Sequence, residues 1–182
     1  MARGLLIIDI QNDYFPGGAM PLVGPENAAA MASAVLERFR RDGEPVVHVQ
    51  HIWDEQDATF MRPGTAGVEI HPSVAPIAGE PVISKAYPNS FRETTLLEKL
   101  RGARASKVVF AGMMTHMCVD TTVRAAADLG FECLLAGDGC ATKALQFSGR
   151  QVDAPQVQLA YLAALNGAFA KVQDAAAIAA DL

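Results

Sequence analysis

No apolar run in this sequence approaches the ~20 residues that span a bilayer, so no membrane partner is expected. Cysteine is scarce as well. The three present, Cys118, Cys133 and Cys140, are spaced irregularly and form neither a disulfide framework nor a CxxC zinc site. Only 19% of residues are charged, and a net charge of −5 offers nothing to nucleic acid or to an anionic lipid surface. No low-complexity tract interrupts the chain. No GxGxxG follows the first apolar strand, which removes the dinucleotide fingerprint. The opening apolar run stops at Asp9, too soon for the core of a secretory signal, and a cytoplasmic location with reduced thiols is expected.

What is present reads as one globular domain over residues 1–182, long enough for a single sizeable core. GLLIIDI, residues 4–10, is aliphatic without alternation, as strands buried on both faces are. A helix is predicted over 27–41, closed by Gly43, and PVVHVQHI (45–52) is a second strand. Residues 53–80 carry too many prolines and glycines for long elements. PVIS from Pro81 is a short third strand, TTLLEKLRG (94–102) a helix, and KVVFAG (107–112) a fourth strand. A helix follows Cys118 and ends at Gly130, FECLLAG (131–137) is a fifth strand, and a helix runs over 155–168 with proline in its first turn. AKVQDA (170–175) is a sixth strand, trailed by a terminal helical turn.

Strands alternating with helices imply right-handed βαβ units. The expectation is a three-layer, Rossmann-like α/β fold: a mostly parallel sheet of about six strands with helices on both faces. In such sheets ligands bind beyond the carboxyl ends of the strands. Asp9 falls near the end of the first strand, Gln50 and His51 near the second, Lys85 just past the third and Cys118 beyond the fourth. Polar and reactive groups from distant sequence thus converge on one edge.

Cys118 has three readings: buried filler, redox thiol or nucleophile. A free cysteine is often a small buried hydrophobe, and Cys133, inside FECLL, fits that description. Cys118 is predicted at a helix N-terminus, where unpaired N–H groups and the dipole favour thiolate. The same amides suit an oxyanion after attack on a carbonyl carbon. Asp9 is a candidate to take and return the proton, and Lys85 to hold nearby negative charge.

The motifs LLIIDIQNDYF, VVHVQH, GTAGVEIHP, KAYPNSFRETTL, AGMMTHMCVDTTVRAAADLGF and LLAGDGCAT occur in order over residues 5 to about 142. Together they resemble the isochorismatase-like cysteine hydrolases, a superfamily that includes nicotinamidases, N-carbamoylsarcosine amidases, ureidoacrylate amidohydrolases and streptothricin hydrolases. The resemblance implies an Asp9-Lys85-Cys118 triad. It also implies a cis peptide between Met113 and Met114, and an oxyanion hole on the backbone N–H groups of Met114 and Cys118. It further implies a homo-oligomer, dimer or tetramer, acting on a small molecule.

One departure narrows that picture. Nicotinamidases carry an Asp-x-His metal motif after the second strand, where this chain reads VQHIWDEQD. His51 and Trp53 occupy the ligand positions, and His48 lies three residues from His51, on the other face of a strand. No metal and no cofactor are therefore expected. Phe15, Gln50, His51, Trp53, Tyr87, Asn89, Phe91 and Phe147 are candidates for the pocket wall, with Cys140 lining it or filling space. The expected activity is hydrolysis of an amide, ureido or carbamoyl C–N bond through a Cys118 thioester. Alternatives are vinyl-ether hydrolysis of isochorismate with Asp9 as acid, and a redox protein pairing Cys118 with Cys140.

Overall fold

The computed structural model describes residues 2–181. A six-stranded sheet runs in the order β3-β2-β1-β4-β5-β8, and every pairing is parallel. Its strands are β1 (Ala2–Ile8), β2 (Val46–His51), β3 (Val82–Lys85), β4 (Ala105–Met113), β5 (Glu132–Ala141) and β8 (Lys171–Gln173). From β1 the chain builds outward one way through β2 and β3, then returns to add β4, β5 and β8 on the other side. The order reverses between β1 and β4, which makes their carboxyl ends the crevice where such sheets bind ligands.

Both faces of β1 are dry. Leu5 and Ile7 join one core with the buried face of α1 (Pro25–Asp42) and with Ala175 and Ile178 of α5 (Ala175–Asp181). Leu6 and Ile8 join the other, with Leu96 and Leu100 of α2 (Leu96–Gly102), Val123 and Ala126 of α3 (Asp120–Asp128), and Leu165 of α4 (Ala154–Leu165). This double burial is why GLLII shows no polar alternation. The terminal segment expected as a single turn is thus a helix whose Ala175 and Ile178 are buried in this chain's own core.

Three local differences from the sequence reading have physical causes. Strand β1 ends at Ile8 because Asp9 takes φ 50°, a left-handed conformation that aspartate tolerates better than most residues with a Cβ. Helix α4 stops at Leu165, since Asn166 is already extended. The third was not anticipated: β6 (Leu145–Phe147) and β7 (Arg150–Val152) form a separate antiparallel hairpin. Ser148 and Gly149 turn it, both with positive φ, as two-residue hairpin loops require. Its strands are short and largely exposed, so no buried face wrote an alternating pattern into the sequence.

Glycine matters most at Gly67, in GTAGVEIHP. A Cβ there would run into the carboxylate of Asp13. Asp13 is buried and accepts the backbone N–H groups of Ala19 (3.0 Å) and Met61 (2.6 Å). It thereby ties the turn holding Tyr14 to the loop holding Phe60, and both rings serve the cavity described next.

Candidate active site

Four adjacent strands each deliver one side chain to the carboxyl edge of the sheet. Lys85 ends β3, its register neighbour His51 ends β2, Asp9 follows β1, and Cys118 follows β4. Lys85 Nζ lies 2.7 Å from Asp9 Oδ2, 3.2 Å from Cys118 Sγ and 3.0 Å from His51 Nδ1. The Lys85 and Asp9 side chains are wholly buried. The ammonium is hydrogen-bonded to Cys118 and His51 and ion-paired with Asp9.

Cys118 sits in a π-helical turn, Thr115–Val119, that leads into α3. The Met113–Met114 peptide bond just upstream is cis. The wide turn is closed by Val119 N–H donating to Met114 O at 3.3 Å. The helix start is expected to favour thiolate, and burial works against it. Burial pushes the Cys118 thiol well above its ordinary value; the Asp9 charge adds to that, and Lys85 only partly opposes it. Burial also works against the Lys85 charge, but the charges of and hydrogen bonds to Asp9 and Cys118 outweigh it and raise the Lys85 pKa. Burial thus favours the protonated thiol, while the neighbouring negative groups favour the ammonium.

Among the described residues, Asp9, His51 and Cys118 can bring three ligand atoms within 4.8 Å of one another, a spacing a metal ion could use. Lys85 Nζ contacts all three side chains. A metal at their centre would have to displace that ammonium.

Cys118 opens on a cavity of about 220 Å³ lined by Tyr14, His51, Trp53, Phe60, Ala86, Pro88, Met114 and Met117. That is below the ~300–1,000 Å³ typical of ligand pockets, and its wall is mostly apolar. Trp53 meets Phe60 edge-on, with centroids 5.4 Å apart. Of the expected wall residues, the structure brings His51 and Trp53 to this cavity, with Met114 beside them.

The others lie elsewhere. Phe15 stacks on His71 at 3.7 Å and faces a different depression. Gln50 donates to Val68 O at 3.0 Å. Tyr87 lies under the Arg92 guanidinium, 3.5 Å from its ring centroid. Asn89 Oδ1 accepts the Phe91 N–H, and Phe91 stacks against Phe131. Phe147, on the hairpin, is 85% exposed. Cys140 lines a separate cavity with Asp138 and Gln158, and its thiol donates to Ala136 O at 3.3 Å. Tyr14, Phe60 and Met117 were missed. Tyr14 adjoins Phe15 in QNDYF, and the 3-10 turn Asn12–Tyr14 brings Tyr14, rather than its neighbour, to the cavity.

The site's surroundings set a pH window for stability. All four histidines are pushed below their ordinary 6.5, chiefly by burial: His48, His51, His71 and His116. Glu80 opposes the shift at His48, and Lys85 reinforces it at His51. Below pH 6.5 the unfolded chain therefore binds more protons than the folded one, and stability falls as pH drops. Each excess proton adds a slope of about 1.4 kcal/mol per pH unit. Glu80 extends the loss. Although burial works against it, bonds from Arg40, the Ile77 N–H and His48 lower it to about 2, so its contribution disappears as pH falls from 4.5 through that value.

At the other end the three cysteines, raised by burial, remain protonated when an unfolded thiol would ionise, so stability falls above pH 9.0. Urea midpoints across this range are expected to peak between 6.5 and 9.0. A midpoint unchanged from pH 7 to 5 would contradict the histidine assignment.

Fold and site place the chain among the three-layer α/β proteins that work from the carboxyl edge of a parallel sheet. It belongs to the isochorismatase family of hydrolases: the isochorismatase domain matches residues 3–177. The isochorismatase family protein YddQ of Bacillus subtilis is 50% identical over 173 residues, 95% of this chain and 96% of that one. The crystal structure of an Oleispira antarctica protein assigned to the isochorismatase hydrolases superposes with a TM-score of 0.95 at 48% identity, covering 98% of this chain and 96% of the other. A streptothricin hydrolase of Streptomyces noursei is 32% identical over 142 residues, 77% of this chain but 50% of that enzyme. Among the described residues, no helix is long and apolar enough to cross a membrane.

Proposed function

We propose that the protein cleaves an amide, ureido or carbamoyl C–N bond of a small molecule through a thioester on Cys118. The observation that carries this is the buried contact of one ammonium, Lys85, with both Asp9 and Cys118, the last of which lines the cavity. A relative named for hydrolysing streptothricin supports the hydrolytic reading.

The scheme starts from the protonated thiol that burial favours. With a carbonyl carbon seated over Sγ, Asp9 takes the thiol proton and Cys118 attacks. Lys85, bonded to both partners, stabilises the sulfur as it gains charge and keeps the carboxylate aimed at it. The backbone N–H groups of Met114 and Cys118 receive the oxyanion. Asp9 then gives its proton to the departing nitrogen, the C–N bond breaks, and the amine or ammonia leaves. Water, deprotonated by Asp9, attacks the thioester; the acid departs and the thiol is restored. The cavity restricts the acyl part to something small and flat, walled by Trp53, Phe60 and Tyr14. The test is a panel of small amides, ureas and carbamoyl compounds assayed for released ammonia or amine, with the Cys118→Ala protein beside the wild type.

A further inference from the structure

His51 is unused in that scheme, yet both its backbone and its ring are held in place. Gln11, itself fully buried, clamps its backbone from both directions: His51 N–H donates to Gln11 Oε1 at 2.8 Å, and Gln11 Nε2 donates to His51 O at 2.9 Å. The same Nε2 reaches Val68 O at 2.6 Å, which anchors the clamp to the far side of the loop. The imidazole is held as firmly. An ammonium has no lone pair, so at the 3.0 Å contact Lys85 donates and His51 Nδ1 accepts. Nδ1 then carries no proton, and the neutral ring keeps its proton on Nε2. No bond within the described residues uses that Nε2, and His51 is a wall residue of the Cys118 cavity.

We infer that His51 is a specificity-determining residue whose Nε2–H donates to a second oxygen of the substrate, next to the scissile carbonyl. The preferred substrates are then small amides carrying a hydroxyl, carbonyl or carboxylate oxygen one or two bonds from the amide carbon. A plain alkyl amide would leave the Nε2–H without a partner in a mostly apolar cavity, a loss that sites built around a hydrogen bond discriminate against. This rests on the proposed amide hydrolysis for the identity of the ligand, but its test needs no turnover.

The test uses two small probes, lactamide and propionamide, that differ by one hydroxyl. Their binding to the full-length Cys118→Ser protein, which keeps an acceptor for Lys85, is followed by NMR with ¹⁵N-labelled histidine. Lactamide is expected to bind about tenfold tighter, with the His51 proton on Nε2 and that signal shifting on binding. Adding His51→Gln, whose amide nitrogen reaches the Nε2 position, preserves the preference. Adding His51→Asn, which reaches only the Nδ1 position, keeps the Lys85 contact and abolishes it. Equal affinity for the two probes, binding of neither, a proton found on Nδ1, or a preference that survives His51→Asn overturns the inference. Failure of the amidohydrolase reading shows elsewhere, as wild-type protein that never acquires an acyl group on Cys118.

Discussion

Replacing Cys118 with alanine is expected to lower turnover of any amide substrate by at least about 10⁴-fold, because removing a nucleophile deletes the covalent route and leaves only binding and oxyanion stabilisation. The substitution sits on the cavity floor, and the alanine replaces a buried residue of similar size, so the fold should survive. KM is expected to change far less than kcat, since the lost interaction is made with the reacting carbon. Steady-state kinetics on the best amide from the panel measures both. A Cys118→Ala protein that keeps its amidase activity would remove the thioester from the account. One that releases pyruvate from isochorismate would transfer the chemistry to Asp9 acting as an acid on a vinyl ether.

Lys85→Met is expected to cost about 3–5 kcal/mol of stability, the usual penalty for leaving one half of a buried ion pair uncompensated. Both side chains are wholly buried and 2.7 Å apart. Without the ammonium, the buried Asp9 carboxylate loses its counter-charge. Neutralising the partner as well, in Asp9→Asn with Lys85→Met, should recover most of the loss, because the pair's burial costs about as much as its attraction returns. Urea denaturation of the wild type, the single variant and the double variant gives the comparison. A single variant as stable as wild type would mean that a buried Asp9 without its ammonium costs the fold nothing, contrary to this account.

The parts of this architecture legible from sequence are those written in local patterns. LLII and VVF are buried on both faces and show no alternation, which marks central parallel strands. Asp9 directly follows such a run, Lys85 closes the short β3 and Cys118 lies in the turn after β4, so strand order places all three at the carboxyl edge. The cavity wall is different, because its residues come from loops where one position of offset decides direction. Phe15 and Tyr14 are neighbours, and the turn between them gives the cavity the tyrosine. Phe147 failed for a related reason: its hairpin contacts little of the body, and hydrophobicity alone does not say where an exposed strand points.

The balance at the thiol is not legible locally, because helix position is local and burial is not. The sequence places Cys118 before a helix, but the desolvation that favours its protonated form comes from its whole surroundings, and Asp9 follows a strand more than a hundred residues away. The roles of Lys85 and His51 also depend on that long-range assembly. Lysine at the end of β3 reaches past His51 to Asp9 just after β1, a path that strand order alone makes visible.

The most direct measurement is acid quenching during turnover of the best amide, followed by peptide-mapped mass spectrometry of the intact and digested protein. The account predicts a mass increase equal to the acyl part of the substrate, confined to the peptide bearing Cys118. That adduct should be labile to hydroxylamine as a thioester is, and absent from Cys118→Ala. Substrate consumed at full rate with no adduct under any quench time, and with activity retained in Cys118→Ala, would contradict it.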